Sequence, residues 1–562
     1  MPSYPKNYPF YNWVPKPLGI LILVLLFLPI LTAGGVYSVN STEMMSGLGI
    51  ISEHIQFTNF ATSIGMAAFA PFLYRLVLIR REKMMCLAGF SLMYIFSFIC
   101  AKTDSVFLLA LCSLLMGFLR MVLMMVNLFT LILYAGGIEA YLKITPGMEP
   151  ETANGWDKLD IERSAAQPAI YLFFMILGQI GTSITAWMAF EYEWQYVYYF
   201  MMGMLLLSIL VIFITMPYHK FQSHRFPINM RQFGNATVFC TMLLCFTYIM
   251  TYGKVLDWYD APTIRWATVG GVISAGLFIY LESMHRNPYY ILGVLRLRTI
   301  RMGILFYFLL MFLNSSAMFV NVFTGIGMKL DNWQNATLGN WCMAGYAIGG
   351  LLTIGLSVKG VHFKYLFAGG FLLLGLSAMF MYFEVQSAGL YERMKYPVII
   401  RSTGMMMLYS LIPTYATQRM PYKYLSTWIC TMLTVRMVLA PSIGGSCLQQ
   451  FATRTATTLH YTLRSKRRHA KSRCLYLVQR HTSGNVLPRE KQSGSYQYGG
   501  NFHQRPHSGT SHTFGRQRNG GVDTLCLPFL HNFHLNHTVS QTKIANLAKS
   551  LASHVWKTIK NV

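Results

Sequence analysis

The chain has 562 residues, of which 54% are apolar and only 12% charged, with a mean hydropathy of +0.40. Soluble domains carry about 25% charged residues, so the composition excludes a multidomain soluble protein and points to an all-α polytopic membrane protein. The formal net charge of +26 is uneven: residues 1–446 hold 29 Lys+Arg and 18 Asp+Glu, whereas residues 447–562 hold 17 and 2.

A helix needs about twenty apolar residues to cross roughly 30 Å of hydrocarbon. Lipid offers the backbone no hydrogen-bond partner, so each such run must be helical. Runs of this kind occur near 16–37, 50–74, 84–101, 105–134, 165–189, 196–216, 236–252, 264–282, 301–325, 336–358, 363–382, 395–415 and 422–445. The first follows Lys16, and TAGG at 32–35 resembles a cleavage site. Twelve similar runs follow it, so it reads as a first span rather than a signal peptide. Gly and Pro within the runs mark bends and close-packing points.

Lys and Arg fix the orientation, because they collect on the cytoplasmic side. With the N-terminus inside, the inner segments hold 20 Lys+Arg and the outer loops hold 6: Lys102, Lys254, Arg265, Lys329, Arg393 and Lys395. The N-terminus is therefore expected in the cytoplasm, in a bacterial inner membrane. Five of the ten cysteines (Cys86, Cys100, Cys112, Cys240 and Cys245) lie inside apolar runs. Without CxxC or Cys/His ligand spacing they read as small core residues, not metal ligands. No GxxxxGK[ST] loop occurs, and neither GxSxG nor HExxH occurs in a fitting context. The chain is expected to be neither an enzyme nor the holder of a cofactor or metal.

From about residue 447 the sequence turns to Arg, His, Ser, Thr, Gln and Gly without helical period. It reads as a basic disordered tail. An odd span number would put this tail outside, against the charge rule. Back-translated and shifted by one base, the tail can encode a stop-free apolar run, GWTLYAYLSFIIFILIIPYR, that supplies an even-numbered helix. The tail is therefore read as out of frame from near Cys447. A nucleic-acid partner for it would rest on charge alone and is not expected.

Three segments carry a family likeness. GQIGTSITAWMAFEYEWQYVYYF begins at Gly178, LLMGFLRMVLMMVNL holds Arg120 and Asn127, and STWICTMLTVRMVLAPSIGGS holds Arg436 and Gly444-Gly445. With thirteen spans and one lost, the chain resembles the major facilitator superfamily, in its fourteen-span drug:proton antiporter branch. The likeness covers residues 16–446. It departs from the family in the loop LYRLVLIRREK, which keeps only a basic end, and in span one, which lacks an Asp.

The resemblance implies a six-helix half over 1–216, two inserted helices and a loop over 217–300, and a second half with five helices over 301–446. It implies alternating access and proton-coupled export of small amphipathic compounds, with the lipid bilayer and a periplasmic adaptor protein as further partners. Arg120 and Arg436 take the places of family arginines. A charge at that depth costs about 2.5–3.5 kcal/mol on insertion scales and so faces a cavity or a partner. Glu53 and His54 are the coupling candidates, since burial can bring either into proton exchange near neutral pH. Gly178 and Gly181, with Gln179 in place of the family's Pro, are hinge candidates. Gln179, Asn127, Asn314, Asn321 and Tyr346 are cavity-lining candidates, and Arg401 is a weaker site candidate because it can snorkel.

Overall fold

Each of the thirteen apolar runs coincides with helix in the computed structural model, which describes residues 7–72, 81–144, 158–218, 230–284, 288–384, 391–418, 420–421 and 424–451. The tail beyond 451, and with it the frameshift reading, lies outside the described residues.

The helices are α1 (Lys16–Leu25), α2 (Phe27–Val39), α3 (Ser41–Leu48), α4 (Ser52–Phe69), α5 (Glu82–Lys102), α6 (Val106–Ile144), α7 (Lys158–Glu191) and α8 (Trp194–Thr215). They continue as α9 (Met230–Tyr252), α10 (Pro262–Met284), α11 (Arg298–Asn314), α12 (Ala317–Val322), α13 (Asn332–Asn340), α14 (Cys342–Val358), α15 (Phe363–Glu384), α16 (Tyr391–Thr417) and α17 (Leu425–Leu433). A π-helical turn, Thr434–Leu439, follows α17, and helix then runs on to residue 451.

Three expected spans are interrupted. The first breaks at Leu26, between α1 and α2, just before Pro29. The proline ring removes the N–H that the Leu25 carbonyl would accept and crowds that carbonyl. The ninth breaks at Ser315-Ser316, between α11 and α12, and then widens into a π turn at Phe323–Gly327. The tenth is interrupted at Trp341, between α13 and α14.

Among the described residues, ten helical segments are long and apolar enough to cross a membrane. The runs outside that set are those of α4, α11 and α16. The α11 run is cut short, its helix ending after 17 residues at Asn314; for α4 and α16 the reason is position. Eleven of the 18 residues of α4 and 16 of the 27 of α16 are buried, against four of the 23 of α10. A helix shielded from lipid by its neighbours can carry Thr58, Thr62, Ser402, Thr403, Ser410 and Thr414 inward. Each of these hydroxyls lies within hydrogen-bond reach of a carbonyl one turn back, which can satisfy it locally.

The packing repeats. In the first group α4 and α5 both lie along α6, α2 runs against α7, and α8 closes the flank of α5. In the second group α14 and α15 both lie along α16, and α11 runs against α16 and the π turn. Glycines make the tight contacts in both. A Cβ on Gly65 of α4 would fall 2.0 Å from the Leu114 carbonyl oxygen of α6, and one on Gly349 of α14 would fall 2.5 Å from the Thr403 carbonyl oxygen of α16. Likewise a Cβ on Gly89 of α5 would meet Leu123 at 2.7 Å, and one on Gly370 of α15 would meet Leu408 at 2.7 Å.

The groups meet along two seams: α4 against α17 and the π turn, and α7 against α13, α14 and α16. The hairpin α9–α10 leans on α4 through α9. At its base the buried Glu282 carboxylate accepts from Asn235 Nδ2 at 2.8 Å and from the Tyr290 backbone N–H at 3.0 Å.

Candidate functional site

The seam made by α7 is polar at helical spacing. Gln167, Tyr171, Met175, Gln179 and Ser183 recur every fourth residue and so share one face. That face meets the second group. Thr414 Oγ1 of α16 donates to Gln167 Oε1 at 2.8 Å. Tyr171 OH points to Met432 Sδ at 3.8 Å. Gln179 Nε2 donates to Asn340 Oδ1 at 3.3 Å, and Ser183 Oγ donates to the same oxygen. Gln179, expected at a hinge, thus bonds across the seam.

Where this seam approaches α17, a half-buried arginine sits among phenols. The Arg436 guanidinium carbon lies 4.3 Å from the centroid of the Tyr409 ring, a distance typical of cation–π attraction. Its electrostatic neighbours are Tyr409 of α16, Tyr307 of α11 and Tyr171 of α7. The rings stack edge to face: Tyr171 and Tyr307 each stand 6.2 Å from Tyr409, and Tyr307 OH donates to the Tyr409 carbonyl at 3.2 Å. Arg436 Nε and Nη1 are buried and have no hydrogen-bond partner. The arginine lies inside the π turn. Such turns re-aim a side chain out of α-helical register and recur at functional sites.

The two other arginines singled out from the sequence, Arg401 and Arg120, also lie within helices. Arg401 Nη2 donates to the Asn314 carbonyl at 3.0 Å and also to Asn314 Oδ1. Asn314 is the last residue of α11, so Arg401 caps the carbonyl end exposed by the break, where a cation is favourable. Cys342 and Tyr346 are its other electrostatic neighbours. This joins Asn314 and Tyr346 in one cluster around a cation that could equally have been read as snorkelling. Arg120, in α6, has a buried Nε without a partner.

The remaining sequence candidates are dispersed. Glu53, at the start of α4, accepts from Ser52 Oγ at 2.9 Å. His54 Nδ1 lies 2.6 Å from Tyr252 OH, at the end of α9. The coupling pair therefore borders the α9–α10 hairpin. Asn127 donates to the Leu23 carbonyl at 3.0 Å and is buried, a helix-to-helix tie. Asn321 is exposed. A Cβ on Gly181 would approach Thr32 Cγ2 to 3.2 Å, while one on Gly178 would meet nothing within 4 Å. Of the pair Gly444-Gly445, Gly444 makes the close approach, with its added Cβ 2.5 Å from Ser315 Oγ. The tyrosines around Arg436 were not singled out from sequence. Their only signal there was aromatic residues with a polar tip inside apolar runs.

No family model matches the chain, and no curated protein matches it. Among solved structures the chain is similar to the human organic anion transporter MFSD10 (TETRAN), at 12% identity and a TM-score of 0.44 over 77% of this chain and 93% of that one. It is similar to the nucleoside transporter NupG at 14% identity and a TM-score of 0.46, over 76% and 90%. It is also similar to a POT family transporter in complex with 5-aminolevulinic acid, at 15% identity and a TM-score of 0.47, over 78% and 91%.

Proposed function

We propose that the chain is a secondary active transporter of the major facilitator type, in its fourteen-span drug:proton antiporter branch, exporting small amphipathic compounds in exchange for protons. The observation that carries this reading is the Arg436 cluster. Tyr171 comes from one packing group, and Tyr307, Tyr409 and Arg436 come from the other. A site shared by two repeated groups changes exposure when the groups rock, as alternating access requires. The seam bonds at Gln167, Gln179 and Ser183 are single polar contacts that can break and re-form. Glu53 and His54 are proposed to exchange the coupled proton. The test is reconstitution in proteoliposomes with an imposed proton gradient and an amphipathic dye. Gradient-dependent dye movement is expected; movement that ignores the gradient removes the antiport reading, and no movement removes transport.

A second reading has its own observation. Among the described residues the second group contains no counterpart of α8. Counting from the paired glycines Gly89 and Gly370, the buried Met93, Ser97 and Cys100 of α5 correspond to Leu374, Ala378 and Met381 of α15, which are half-buried or exposed. In this reading the chain is the inactive or scaffold product of an interrupted frame, and the missing helix belongs on that flank. The nucleotide sequence around codon 447 and a transport assay on the frame-restored protein decide it. Transport by the restored form alone supports the second reading; transport by this chain refutes it.

A further inference from the structure

The Arg436 cluster is a cation site without its anion. The guanidinium carries a full charge within the bundle, and two of its donors, Nε and Nη1, are buried and unbonded. The ionisable groups facing it from the packed elements are the phenols of Tyr409, Tyr307 and Tyr171. No carboxylate is among them. Tyr307 and Tyr171 hydrogen-bond the guanidinium, but phenols stay neutral at ordinary pH, so among the described residues no charge balances the arginine. Leaving a charged donor buried and unpaired is strongly destabilising, and the cation–π contact with Tyr409 offsets only about 2 kcal/mol of that.

Arg401 and Lys395, in the same bundle, are housed differently. Arg401 spends its donors on the carbonyl and side chain of Asn314. Lys395 pairs with Glu392. Arg436 therefore differs from Arg401 and Lys395; it shares a buried, unbonded Nε with Arg120 and has an unbonded Nη1 besides. Its unbonded donors also have the right form for recognition. The planar guanidinium fork matches the two oxygens of a carboxylate, and the π turn holds it among rings rather than along the helix surface.

We propose that Arg436 binds the carboxylate head of an organic monoanion whose apolar or aromatic body lies among Tyr171, Tyr307, Tyr409 and Met432. One unpaired arginine balances one negative charge, which favours a monoanion over a phosphate dianion. The tyrosine rings give a wall that accepts flat or chain-like bodies, and Met432, in contact with Tyr171 OH, is adaptable in shape. The inference rests on the transporter reading for its consequence, that this anion is cargo. The binding itself stands on the geometry alone.

The experiment uses the full chain in detergent, with three probes of matched body: 4-phenylbutyrate, 4-phenylbutanol and 4-phenylbutylamine. Affinity is read from ligand-induced thermal stabilisation. The carboxylate is expected to stabilise the protein, the alcohol weakly or not at all, and the amine not at all. Arg436→Gln is expected to weaken carboxylate binding about tenfold or more, and Arg436→Lys to recover part of it. Equal stabilisation by the amine, or carboxylate binding unchanged in Arg436→Gln, overturns the proposal. If Arg436→Gln does not yield folded protein, the head-group series on the unsubstituted chain decides alone.

The same probes in proteoliposomes separate the two claims. Carboxylate binding without carboxylate movement sinks the transporter reading and leaves the anion site. Gradient-driven movement of a cationic dye without carboxylate binding sinks the anion site and leaves the transporter.

Discussion

Adding one methyl group at Gly65 tests the packing on which the repeated architecture depends. A Cβ there would stand 2.0 Å from the Leu114 carbonyl oxygen and 2.9 Å from the Phe118 nitrogen, both backbone atoms of α6. Gly117 makes the reciprocal approach, with its added Cβ 2.0 Å from the Thr62 carbonyl oxygen. Neither neighbour is the end of a flexible side chain, so α4 and α6 must move apart. Relief to an ordinary contact near 3.4 Å takes more than about 1 Å, and a gap of 0.5–1 Å already forfeits a quarter to a half of each dispersion contact. Overpacking of this kind costs about 1–3 kcal/mol, and the length of the α4–α6 contact puts Gly65→Ala at the upper end. The assay is thermal unfolding of the detergent-solubilised chain, with Gly178→Ala as the internal comparison. Gly178 has nothing within 4 Å of its added Cβ, so alanine there gains about 0.8–1 kcal/mol of helix propensity. The midpoint is expected to fall for Gly65→Ala and to hold or rise for Gly178→Ala. Equal midpoints for the two variants, or a wild-type midpoint for Gly65→Ala, would refute the close helix approach.

Gly178→Ala also tests the hinge reading: if a bend at Gly178 serves the rocking of the groups, transport slows while stability does not fall, and unchanged transport rates dismiss the hinge. Arg401→Met uncaps the Asn314 carbonyl and strands Asn314 Oδ1, at a cost of about 1–3 kcal/mol read by thermal unfolding; an unchanged midpoint would mean that the cap is idle. His54→Gln keeps a polar group within reach of Tyr252 but removes the proton exchange. Gradient-driven transport is expected to collapse while substrate counterflow persists; gradient-driven transport at the wild-type rate excludes His54 from coupling. Asn127→Leu leaves the Leu23 carbonyl without its donor and is expected to cost about 1–3 kcal/mol of stability with no change in substrate preference, measured as relative transport of two dyes.

The spans were legible because the bilayer imposes length and apolarity on any helix it touches, a rule that acts on local sequence. All thirteen runs are helical for that reason. The helix breaks were partly legible: Pro29 announces the one at Leu26, but Ser315-Ser316 carries no comparable signal and is recognisable only from Arg401 bonding the freed carbonyl. Arg120 and Arg436 were visible as costly charges in apolar surroundings. The company they keep was not. Tyr171 and Arg436 lie far apart in sequence, and no spacing rule joins residues on helices that meet only after folding.

By itself, then, the sequence determined the solvent this protein folds in, the helical form of its backbone and the places where charge enters the bundle, since each follows from free energies of single residues against lipid. Only the tertiary structure decided which helices are hidden from lipid, that α4 and α16 are tolerant of hydroxyls because neighbours cover them, and that α7 forms a polar seam. It also decided that one arginine, Arg436, is left with unbonded donors among three rings. Those outcomes depend on the shapes of whole helices packed against one another, a property that no stretch of sequence holds alone.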